Sequence, residues 1–551
     1  MNKEETTNFI FVWRGRRWPF TPRAGLLFLM GWAALLRIAM CFQYLGNDET
    51  LILDNLRNFY LHRTLLPAHF SYPTFFSYLV ALPFLAATEI LHLLKIIPNL
   101  RGIEALYQTG FLLPILPIRL TSAAIGLLTI LLTYRIGQDF YPPRTGLIAA
   151  ALLTFSGLHL QYSSWGLPDA TMAFFAAVSL YFALSALQTR RLRDYLLAGA
   201  GAGLATTTKY NGALALLPMI LVHLLMLHQE KRLFSLRAVF ERKIVLSGLM
   251  ALAVFLLGSP GWLVAPASFI HGFLFDRHLM AVSQFGQFGP PYLQHFILFW
   301  HWENFIAVLF GLGVLYALLR GTRRDFVLLG FCLVSFLYIG SWTKKDLHYL
   351  LFLYPALALL AARSVTEVLG RFHHARSDTL WLAVMALSLA WPAYTEVINA
   401  SHQFREDSRD LGYAWIQQNV PEGSKIMVDF LAFLPRLLDR SKKAEFLTGP
   451  SQSFYREALK GVRAYDLIPM PYALPGLQDS EADYLLINSY CFDRYYQASE
   501  PAPNSPLFAA FHQQRTAYAL LLHSPQVLGW KRIQEFQARR GPRLLLFARS
   551  R

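Results

Sequence analysis

The stretch AGLLFLMGWAALLRIAMCFQYLGNDE, residues 24–49, contains the two features that decide the fold and the site. Its first part, 24–45, is an apolar run long enough to cross a bilayer as a helix, which takes about 20 residues. Two adjacent carboxylates, Asp48 and Glu49, follow directly. The stretch therefore predicts a spanning helix that ends in a pair of acids at the lipid–water boundary.

Similar apolar runs recur along the chain, near residues 111–136, 145–164, 170–188, 195–208, 210–228, 244–265, 296–319, 326–342, 347–363 and 379–398. The runs 195–208 and 210–228 are short, and the break at 209–212 leaves open two half-thickness helices or one long bent helix. Together the runs predict a mainly α fold, a polytopic transmembrane bundle of about 11 helices.

The composition supports this fold class. Hydrophobic residues make up 55% of the 551 residues and charged residues 15%, where soluble domains carry roughly 25% charged residues. An aromatic-rich chain of this kind is not a disordered one. A disulfide scaffold is also excluded, because there are three cysteines and two of them, Cys41 and Cys332, fall inside apolar runs.

The net charge of +16 would suggest a nucleic-acid partner in a soluble protein. Here the basic residues cluster in short connections, such as 190–193, 231–243 and 320–324, which the predicted topology places on one side of the membrane. Excess Lys and Arg mark cytoplasmic loops. The charge therefore predicts a cytoplasmic N-terminus and no nucleic-acid partner.

The pattern changes after residue 400, which an odd number of crossings places outside the cytoplasm. The apolar runs shorten to strand length at 425–429, 484–488 and 543–547, and an amphipathic stretch covers 404–418. We expect two domains: a transmembrane catalytic region, 1–400, with a first extracytoplasmic loop at 46–110, and a small soluble α/β domain, 401–551.

Carboxylates on the outward side are the first candidate site residues. Asp48 or Glu49 is a candidate general base or metal ligand, with an ordinary solvated loop residue as the alternative. Asp169 follows the second outward turn, where a carboxylate also serves as a helix cap. The predicted topology places Asp169 on the same side as Asp48.

Cations on this side are the second group. Lys209 lies between two short apolar helices, where a charge is costly unless it reaches the interface or binds an anion. A later turn carries Lys344, Lys345, His348 and Tyr349. These positions predict a phosphate or pyrophosphate headgroup, with simple interfacial anchoring as the alternative.

A metal site is only weakly indicated. The outward loop 266–295 contains Asp276, Arg277, His278 and His295, but no strong metal-binding spacing. A divalent ion held by Asp48 or Glu49 with a loop histidine stays open as a cofactor, and no other cofactor is indicated.

Several loose motifs are specific in their order: Asp48-Glu49, Tyr72-Pro73-Thr74, Pro117-Ile118-Arg119-Leu120 followed by 146–150, the Asp169 turn, the segment 203–209, and His348-Tyr349 with 354–359. With them the chain resembles membrane glycosyltransferases of the GT-C class, in the branch of protein O-mannosyltransferases and bacterial lipid A aminoarabinose transferases. The resemblance covers most of the membrane region.

The resemblance implies an inverting enzyme of the bacterial inner membrane. It would move a sugar from a polyprenyl-phosphate carrier to a lipid, glycan or protein acceptor outside the cytoplasm. Asp48 would be the base, and Glu49 and Asp169 would orient the acceptor or a metal. The phosphate would be held by Lys209, Lys344, Lys345, His348 and Tyr349. A transporter or flippase of a lipid-linked sugar, or a non-catalytic membrane protein, remains the alternative.

Overall fold

The structure is a computed structural model. It describes residues 9–13, 16–98, 115–142, 144–281, 290, 292–371, 377–430, 433–448, 451–497, 500–501, 503, 505 and 507–550. Part of the predicted first loop, 99–110, and the start of the predicted run 111–136 lie outside these residues.

The chain begins with an antiparallel hairpin, β1 (Phe9–Trp13) and β2 (Arg16–Phe20). Helices follow up to residue 402: α1 (Pro22–Met40), α2 (Asn47–His62), α3 (Phe75–Leu93), α4 (Leu116–Phe140), α5 (Thr145–Thr154), α6 (Gly157–Tyr162), α7 (Asp169–Thr189), α8 (Leu192–Thr208), α9 (Leu217–Gln229), α10 (Leu236–Val239), α11 (Arg242–Gly258), α12 (Gly261–Val264), α13 (Pro266–Ala281), α14 (Leu293–Glu303), α15 (Phe305–Arg320), α16 (Arg323–Gly340), α17 (Tyr354–Gly370) and α18 (Ser377–His402). Two 3-10 helices, Tyr210–Leu216 and Leu347–Leu353, lead into α9 and α17.

Six helices within the described residues are long and apolar enough to cross a membrane by length and composition: 22–40, 75–93, 116–140, 169–189, 210–229 and 347–370. The predicted polytopic helical fold is confirmed. Other predicted runs coincide with shorter or interrupted helices, as at Asn304 between α14 and α15.

One helix of this group was not predicted. No crossing is expected from the sequence between 46 and 110, yet α3 there is long and apolar enough to span a membrane. Pro83 lies inside α3, and Glu89 lies near its end. A charge is rare inside a spanning helix, and Pro83 and Glu89 together interrupt the apolar run that would have indicated it.

The chain breaks at Lys209, where one helix gives way to the next. α8 ends at Thr208, Lys209 is extended, and the 3-10 helix begins at Tyr210. The break lies within the predicted segment 209–212. It matters because a backbone that leaves the helix can present its side chain to a cavity inside the membrane region.

Glycines allow α8 to pack closely between α7 and α11. A Cβ atom on Gly201 would lie 2.8 Å from the backbone nitrogen of Ser179 in α7. On the opposite side, a Cβ on Gly203 would lie 2.5 Å from the carbonyl oxygen of Ala251 in α11. Small residues give membrane helices this close backbone approach. The packing fixes the end of α8, and so the position of Lys209.

The C-terminal region forms one six-stranded sheet with the order β4-β5-β3-β6-β8-β7. Its strands are β3 (Lys425–Val428), β4 (Leu438–Asp439), β5 (Ala464–Pro469), β6 (Tyr484–Asn488), β7 (Trp530–Phe536) and β8 (Leu544–Arg549). Its helices are α19 (Ser408–Asn419), α20 (Arg440–Thr448), α21 (Gln452–Ala458), α22 (Leu474–Gln478), α23 (Ser489–Phe492), α24 (Arg494–Gln497) and α25 (Phe508–His523), with a 3-10 turn at Pro525–Leu528. β4, β5, β3 and β6 are parallel to one another. β8 is antiparallel to both of its neighbours, β6 and β7. The predicted small α/β unit is confirmed.

This α/β unit touches the segment that follows α1. The guanidinium of Arg409 lies 3.6 Å from the centroid of the Tyr44 ring. Arg540 donates a hydrogen bond to the carbonyl oxygen of Phe42 at 3.3 Å, and the Phe42 ring packs against Phe404. The α/β unit therefore contacts the segment that joins α1 to the acidic pair at the start of α2.

We expect Gly203→Val to destabilise the bundle, because its side chain would overlap α11. Overpacking of this kind costs roughly 1–3 kcal/mol, so the thermal midpoint of the purified protein in detergent should fall. Gly31→Val is the matched control, since a Cβ at Gly31 meets no atom within 4 Å. Equal midpoints for the two variants would contradict this account of the packing.

Asp429, at the end of β3, predicts a pH dependence of stability. Burial raises the pKa of its carboxyl group to about 7, although it accepts hydrogen bonds from the backbone N–H of Phe430 and of Asn488. The folded state therefore binds the proton more tightly than the unfolded state, whose pKa is near 3.8. Stability from this group is present below about pH 4 and is lost as the pH rises to 7.

The check is thermal unfolding of the full chain and of Asp429→Asn between pH 4 and pH 8. The free energy of unfolding of the wild type relative to the variant should fall with pH, by at most about 1.4 kcal/mol per unit, and level off above pH 7. A difference that stays constant over this range would disprove the assignment.

Candidate active site

A buried ion pair forms the base of the site. Arg119, in α4, and Glu49, in the first turn of α2, have fully buried side chains. Nε of Arg119 donates to Oε1 of Glu49 at 2.8 Å, and Nη2 donates to Oε2 at 2.6 Å. Such two-pronged contacts fix orientation as well as charge. The pair locks the start of α2 onto α4.

The same guanidinium also holds the segment that ends α1. Nη1 donates to the carbonyl oxygens of Cys41 and Gln43 at 2.8 and 2.6 Å, and Nη2 donates to that of Tyr44 at 3.1 Å. Carbonyls just past a helix end lack partners within the helix. Arg119 supplies those partners, so the turn between α1 and α2 has a defined shape.

Glu49 completes the arrangement from the other side. Its carboxylate accepts the backbone N–H groups of Gly46 and Gly166, each at 2.7 Å. Gly166 belongs to the turn just before α7, which begins at Asp169. One carboxylate thus ties together the positions that precede both Asp48 and Asp169.

Asp48 lies beside Glu49 in the first turn of α2 and is partly exposed. The hydroxyl of Tyr72 donates to Oδ2 of Asp48 at 3.3 Å. Of the two adjacent acids, Glu49 is enclosed by structural hydrogen bonds and Asp48 is the one that solvent reaches. The geometry therefore favours Asp48 for chemistry.

Asp169 and Lys209 form a second buried pair. Oδ1 of Asp169 lies 2.7 Å from Nζ of Lys209, and the two side chains are 2% and 7% exposed. Asp169 makes no cap of its own helix, because Pro168 occupies the cap position. The carboxylate instead orients the ammonium group, which lies 4.7 Å from the centroid of the Tyr349 ring.

The turn at 344–349 brings further groups to the same place. Nζ of Lys344 lies 3.6 Å from Oδ2 of Asp346 and 5.5 Å from the centroid of Tyr349. The His348 ring stacks on Tyr162, with 3.0 Å between Nδ1 and the tyrosine hydroxyl. Tyr349 is thus flanked by two lysines, Lys209 and Lys344.

Lys345 is placed differently from the other predicted cations. Its ammonium donates to the carbonyl oxygens of Gly340, at 3.5 Å, and of Trp342. These carbonyls belong to the end of α16 and the turn that follows. Lys345 closes that helix end and is not brought to Tyr349, just as Glu49 is withdrawn into its pair with Arg119.

A cavity of about 870 Å³ opens beside Lys209 and Tyr349. Aromatic and aliphatic side chains form most of its wall, and Asp276 and Arg277 of α13 add an acid and an exposed cation. Its lining residues are Thr206, Lys209, Tyr210, Asn211, Ala213, Leu214, Phe255, Phe273, Asp276, Arg277, Met280, Ala281, Tyr338, Ser341, Trp342, Thr343 and Tyr349. An apolar wall with a few placed charges is typical of a ligand site.

Two acids outside the spanning helices have altered proton affinity. Burial raises the pKa of Asp276 and that of Asp346, while Lys209 and Lys344 act to lower both. The charge of Asp48 raises the pKa of Asp276 and of Asp346 as well. Asp48 is therefore electrostatically coupled to the cavity, although its side chain does not line it.

The described residues do not fit a metal centre. They contain no group of three His, Cys, Asp or Glu side chains arranged to hold one ion. Two of the acids near the cavity are paired with lysines, Asp169 with Lys209 and Asp346 with Lys344, and Asp276 lies in its lining.

Sequence reasoning missed some of these groups. The sequence indicates no role for Arg119 and Tyr72 beyond their place in motifs. It indicates none for Asp276 and Arg277 beyond their place in an outward loop. The signal for Arg119 was available, because a charge inside an apolar run needs a partner. Nothing in the sequence indicated that α13 brings Asp276 and Arg277 against Lys209.

A family model described as dolichyl-phosphate-mannose-protein mannosyltransferase matches residues 107–259, less than half of the chain. The match contains Arg119, Asp169 and Lys209. No curated protein sequence matches the chain significantly.

Solved structures show a likeness of fold over nearly the whole chain. ArnT from Cupriavidus metallidurans bound to undecaprenyl phosphate is 14% identical, with a TM-score of 0.51 over 95% of this chain and 97% of that chain. Its apo structure is also 14% identical, with a TM-score of 0.52 over 96% and 98%. These matches and the family model confirm the resemblance to polytopic membrane glycosyltransferases that the sequence predicts.

A more distant match includes a metal ion. The oligosaccharyltransferase of Archaeoglobus fulgidus in complex with Zn and sulfate is 14% identical, with a TM-score of 0.44 over 86% of this chain and 70% of that chain. This level of similarity does not indicate a zinc site in this chain.

We expect Arg119→Lys to lower both stability and activity. Lysine keeps the charge but cannot reach two carboxylate oxygens and three carbonyls at once, so a loss of stability on the order of 1.5–3 kcal/mol is expected from the lost hydrogen bonds. The thermal midpoint of unfolding and the rate of sugar transfer should both fall. Arg135→Lys is the control, because Arg135 forms an exposed pair with Asp139 at 3.7 Å. If both variants unfold at the same temperature, the buried pair does not support the site.

Proposed function

We propose that the chain is an inverting glycosyltransferase that moves a sugar from a polyprenyl-phosphate carrier to an acceptor hydroxyl outside the cytoplasm. One observation carries the proposal: the cavity joins an apolar, aromatic wall to the cations Lys209 and Arg277. A phosphate attached to a long hydrocarbon tail needs both kinds of surface in one place.

The cations act on the leaving group. As the bond between the anomeric carbon and the phosphate oxygen breaks, the electron pair remains on the carrier phosphate. Lys209 and Arg277 stabilise the negative charge that develops there. Asp169 fixes Lys209 by its 2.7 Å contact, so little reorganisation is needed during the reaction. Lys344, His348 and Tyr349 complete this side of the site.

Asp48 acts on the acceptor. Its carboxylate takes the hydroxyl proton as the acceptor oxygen bonds to the anomeric carbon, on the face opposite the leaving phosphate, which inverts the configuration. The hydrogen bond from Tyr72 at 3.3 Å holds Asp48 in place. Glu49 supports this step through its pair with Arg119 and not as a second base. The described residues supply no third ligand for a metal, so no step is assigned to one.

The basic connections support an orientation for this enzyme. With them in the cytoplasm of a bacterium, the N-terminus is cytoplasmic and the chain lies in the inner membrane. The site at Asp48 and the domain at 401–551 then lie on the extracytoplasmic side, above the transmembrane region 1–400. The contacts of Arg409 and Arg540 with the segment after α1 support a role for this domain near the acceptor entrance.

Asp48→Asn tests the mechanism. The amide is nearly isosteric but cannot accept the hydroxyl proton, so the rate of transfer should fall about 100- to 10,000-fold, while the thermal midpoint stays within a few degrees. The measurement is transfer by the purified, reconstituted protein from polyprenyl-phosphate sugars to acceptors identified from the glycolipids lost in a deletion strain.

Asp54→Asn is the control, because Asp54 lies in the same helix, is half exposed and has a salt-bridge contact with His69 at 3.5 Å. Wild-type rates in Asp48→Asn would refute the assigned base. The alternative of a transporter or flippase makes the opposite prediction: movement of the lipid-linked sugar across vesicles with no transfer product, unaffected by Asp48→Asn.

A further inference from the structure

A second cavity, of about 410 Å³, lies between α9 and α11 and is called here the lateral groove. It is apolar apart from two polar side chains, those of His223 and Ser247. Its lining residues are Leu216, Met219, Ile220, His223, Leu224, Val239, Phe240, Ile244, Val245, Ser247 and Gly248.

The groove extends toward the end of the bundle that is remote from the candidate active site. Lys243, at the start of α11, donates to the carbonyl oxygen of Arg190 at 3.1 Å. Arg190 follows α7, whose first residue is Asp169 and which is 21 residues long. A helix of that length rises about 30 Å. The basic end of the groove is therefore roughly one bilayer thickness from Asp169.

Cations surround this end. Arg237 and Arg242 are exposed, and neither makes an ion pair with any residue that the structure describes. In the chain they flank Val239 and Phe240, which form one wall of the groove. By contrast, Glu230 is shared between Arg190 and Arg232. Two unpaired guanidinium groups thus lie beside an apolar opening.

The connection between α9 and α11 also carries exposed apolar side chains. Phe234 is 98% exposed, Leu236 75% and Phe240 69%. Apolar and basic residues mixed in one short segment are typical of chains that lie in the membrane interface, where anionic lipids attract them. The composition of the segment 231–243 therefore suits the depth of lipid headgroups.

Open space at Gly248 leaves room for a lipid chain in the groove. Gly248 lies in the groove lining, and a Cβ at this position would meet no atom within 4 Å. Ser247, beside it, is fully buried, and a Cβ on Gly199 of α8 would lie 2.9 Å from its hydroxyl oxygen, so Ser247 packs against α8. The space at Gly248 would admit an acyl chain.

We propose that the lateral groove binds one anionic glycerophospholipid, with its phosphate between Arg237 and Arg242 and one acyl chain along α9 and α11. The bound lipid is an accessory ligand and not the sugar donor, because the groove contains none of the groups around Lys209. It links α9 to α11 at the end of the bundle opposite the active site.

The charge arm of the test uses the full-length protein in nanodiscs of equal phosphatidylglycerol and phosphatidylcholine. Native mass spectrometry measures which lipid stays bound to the protein after the protein is released from the nanodisc. The wild type should retain phosphatidylglycerol, and R237Q/R242Q should retain it at least tenfold less, since each interfacial cation contributes about fivefold to affinity for anionic lipid. R320Q/R323Q removes two basic charges from another predicted cytoplasmic connection and should match the wild type.

The groove arm leaves every charge in place. Gly248→Leu fills the space that the acyl chain would occupy and should also lower phosphatidylglycerol retention several-fold. Gly311→Leu is its control, because a Cβ at Gly311 likewise meets no atom within 4 Å and Gly311, in α15, is not among the residues that line the groove. Added phosphatidylglycerol should raise the thermal midpoint of the wild type and of Gly311→Leu more than that of Gly248→Leu.

Three results would overturn the proposal. Equal retention of the two lipids by the wild type would make the groove an unselective lipid contact. Equal losses in R237Q/R242Q and R320Q/R323Q would reduce it to general surface charge. Recovery of undecaprenyl phosphate, supplied with the lipids, in place of phosphatidylglycerol would assign the groove to the sugar carrier.

Discussion

The ion pair between Arg119 and Glu49 is the constraint on which the rest of the site depends. A guanidinium with no access to water is costly to bury unless all of its donors are used. Here they are used on one carboxylate and three carbonyls, which come from two different segments of the chain. The positions of α1, α2 and the turn before α7 are therefore set together.

This constraint divides the two adjacent acids by role. Glu49 points into the protein and supports the backbone, while Asp48, one residue earlier, remains accessible. Alternate placement of this kind is natural in the first turn of a helix, where neighbouring side chains point in different directions. In the proposed mechanism, a motif of two acids in a row thus serves one structural need, at Glu49, and one chemical need, at Asp48.

The same separation applies to the cations. Lys344 and Lys345 are also adjacent, and one lies beside Tyr349 while the other binds carbonyls at the end of α16. A sequence shows that both charges are present near the boundary. It does not show which one has its charge satisfied by backbone oxygens, because that depends on where the preceding helix stops.

Much of the fold follows from the sequence because apolar runs of bilayer length and strand-length runs are local signals. These signals predict the helical bundle, the break at Lys209 and the strand at 484–488. α3 was missed because a proline, Pro83, and one acidic residue, Glu89, interrupt its apolar pattern. In the site, Asp169 and Lys209 were both named from their positions, but their pairing required the packing of α7 on α8. The contribution of α13 depends on long-range placement, for which the sequence offers no local pattern.

The break at Lys209 also bears on the depth of the proposed site in the membrane. α8 has 17 residues, so it rises about 25 Å, some 5 Å less than the hydrocarbon thickness of a typical bilayer. In the proposed orientation, with the start of α8 at the cytoplasmic surface, the ammonium group just beyond its end would lie slightly below the opposite surface. In the proposed mechanism, a lipid-linked phosphate would then meet Lys209 with its tail still in the hydrocarbon layer, and only the sugar would face the aqueous phase.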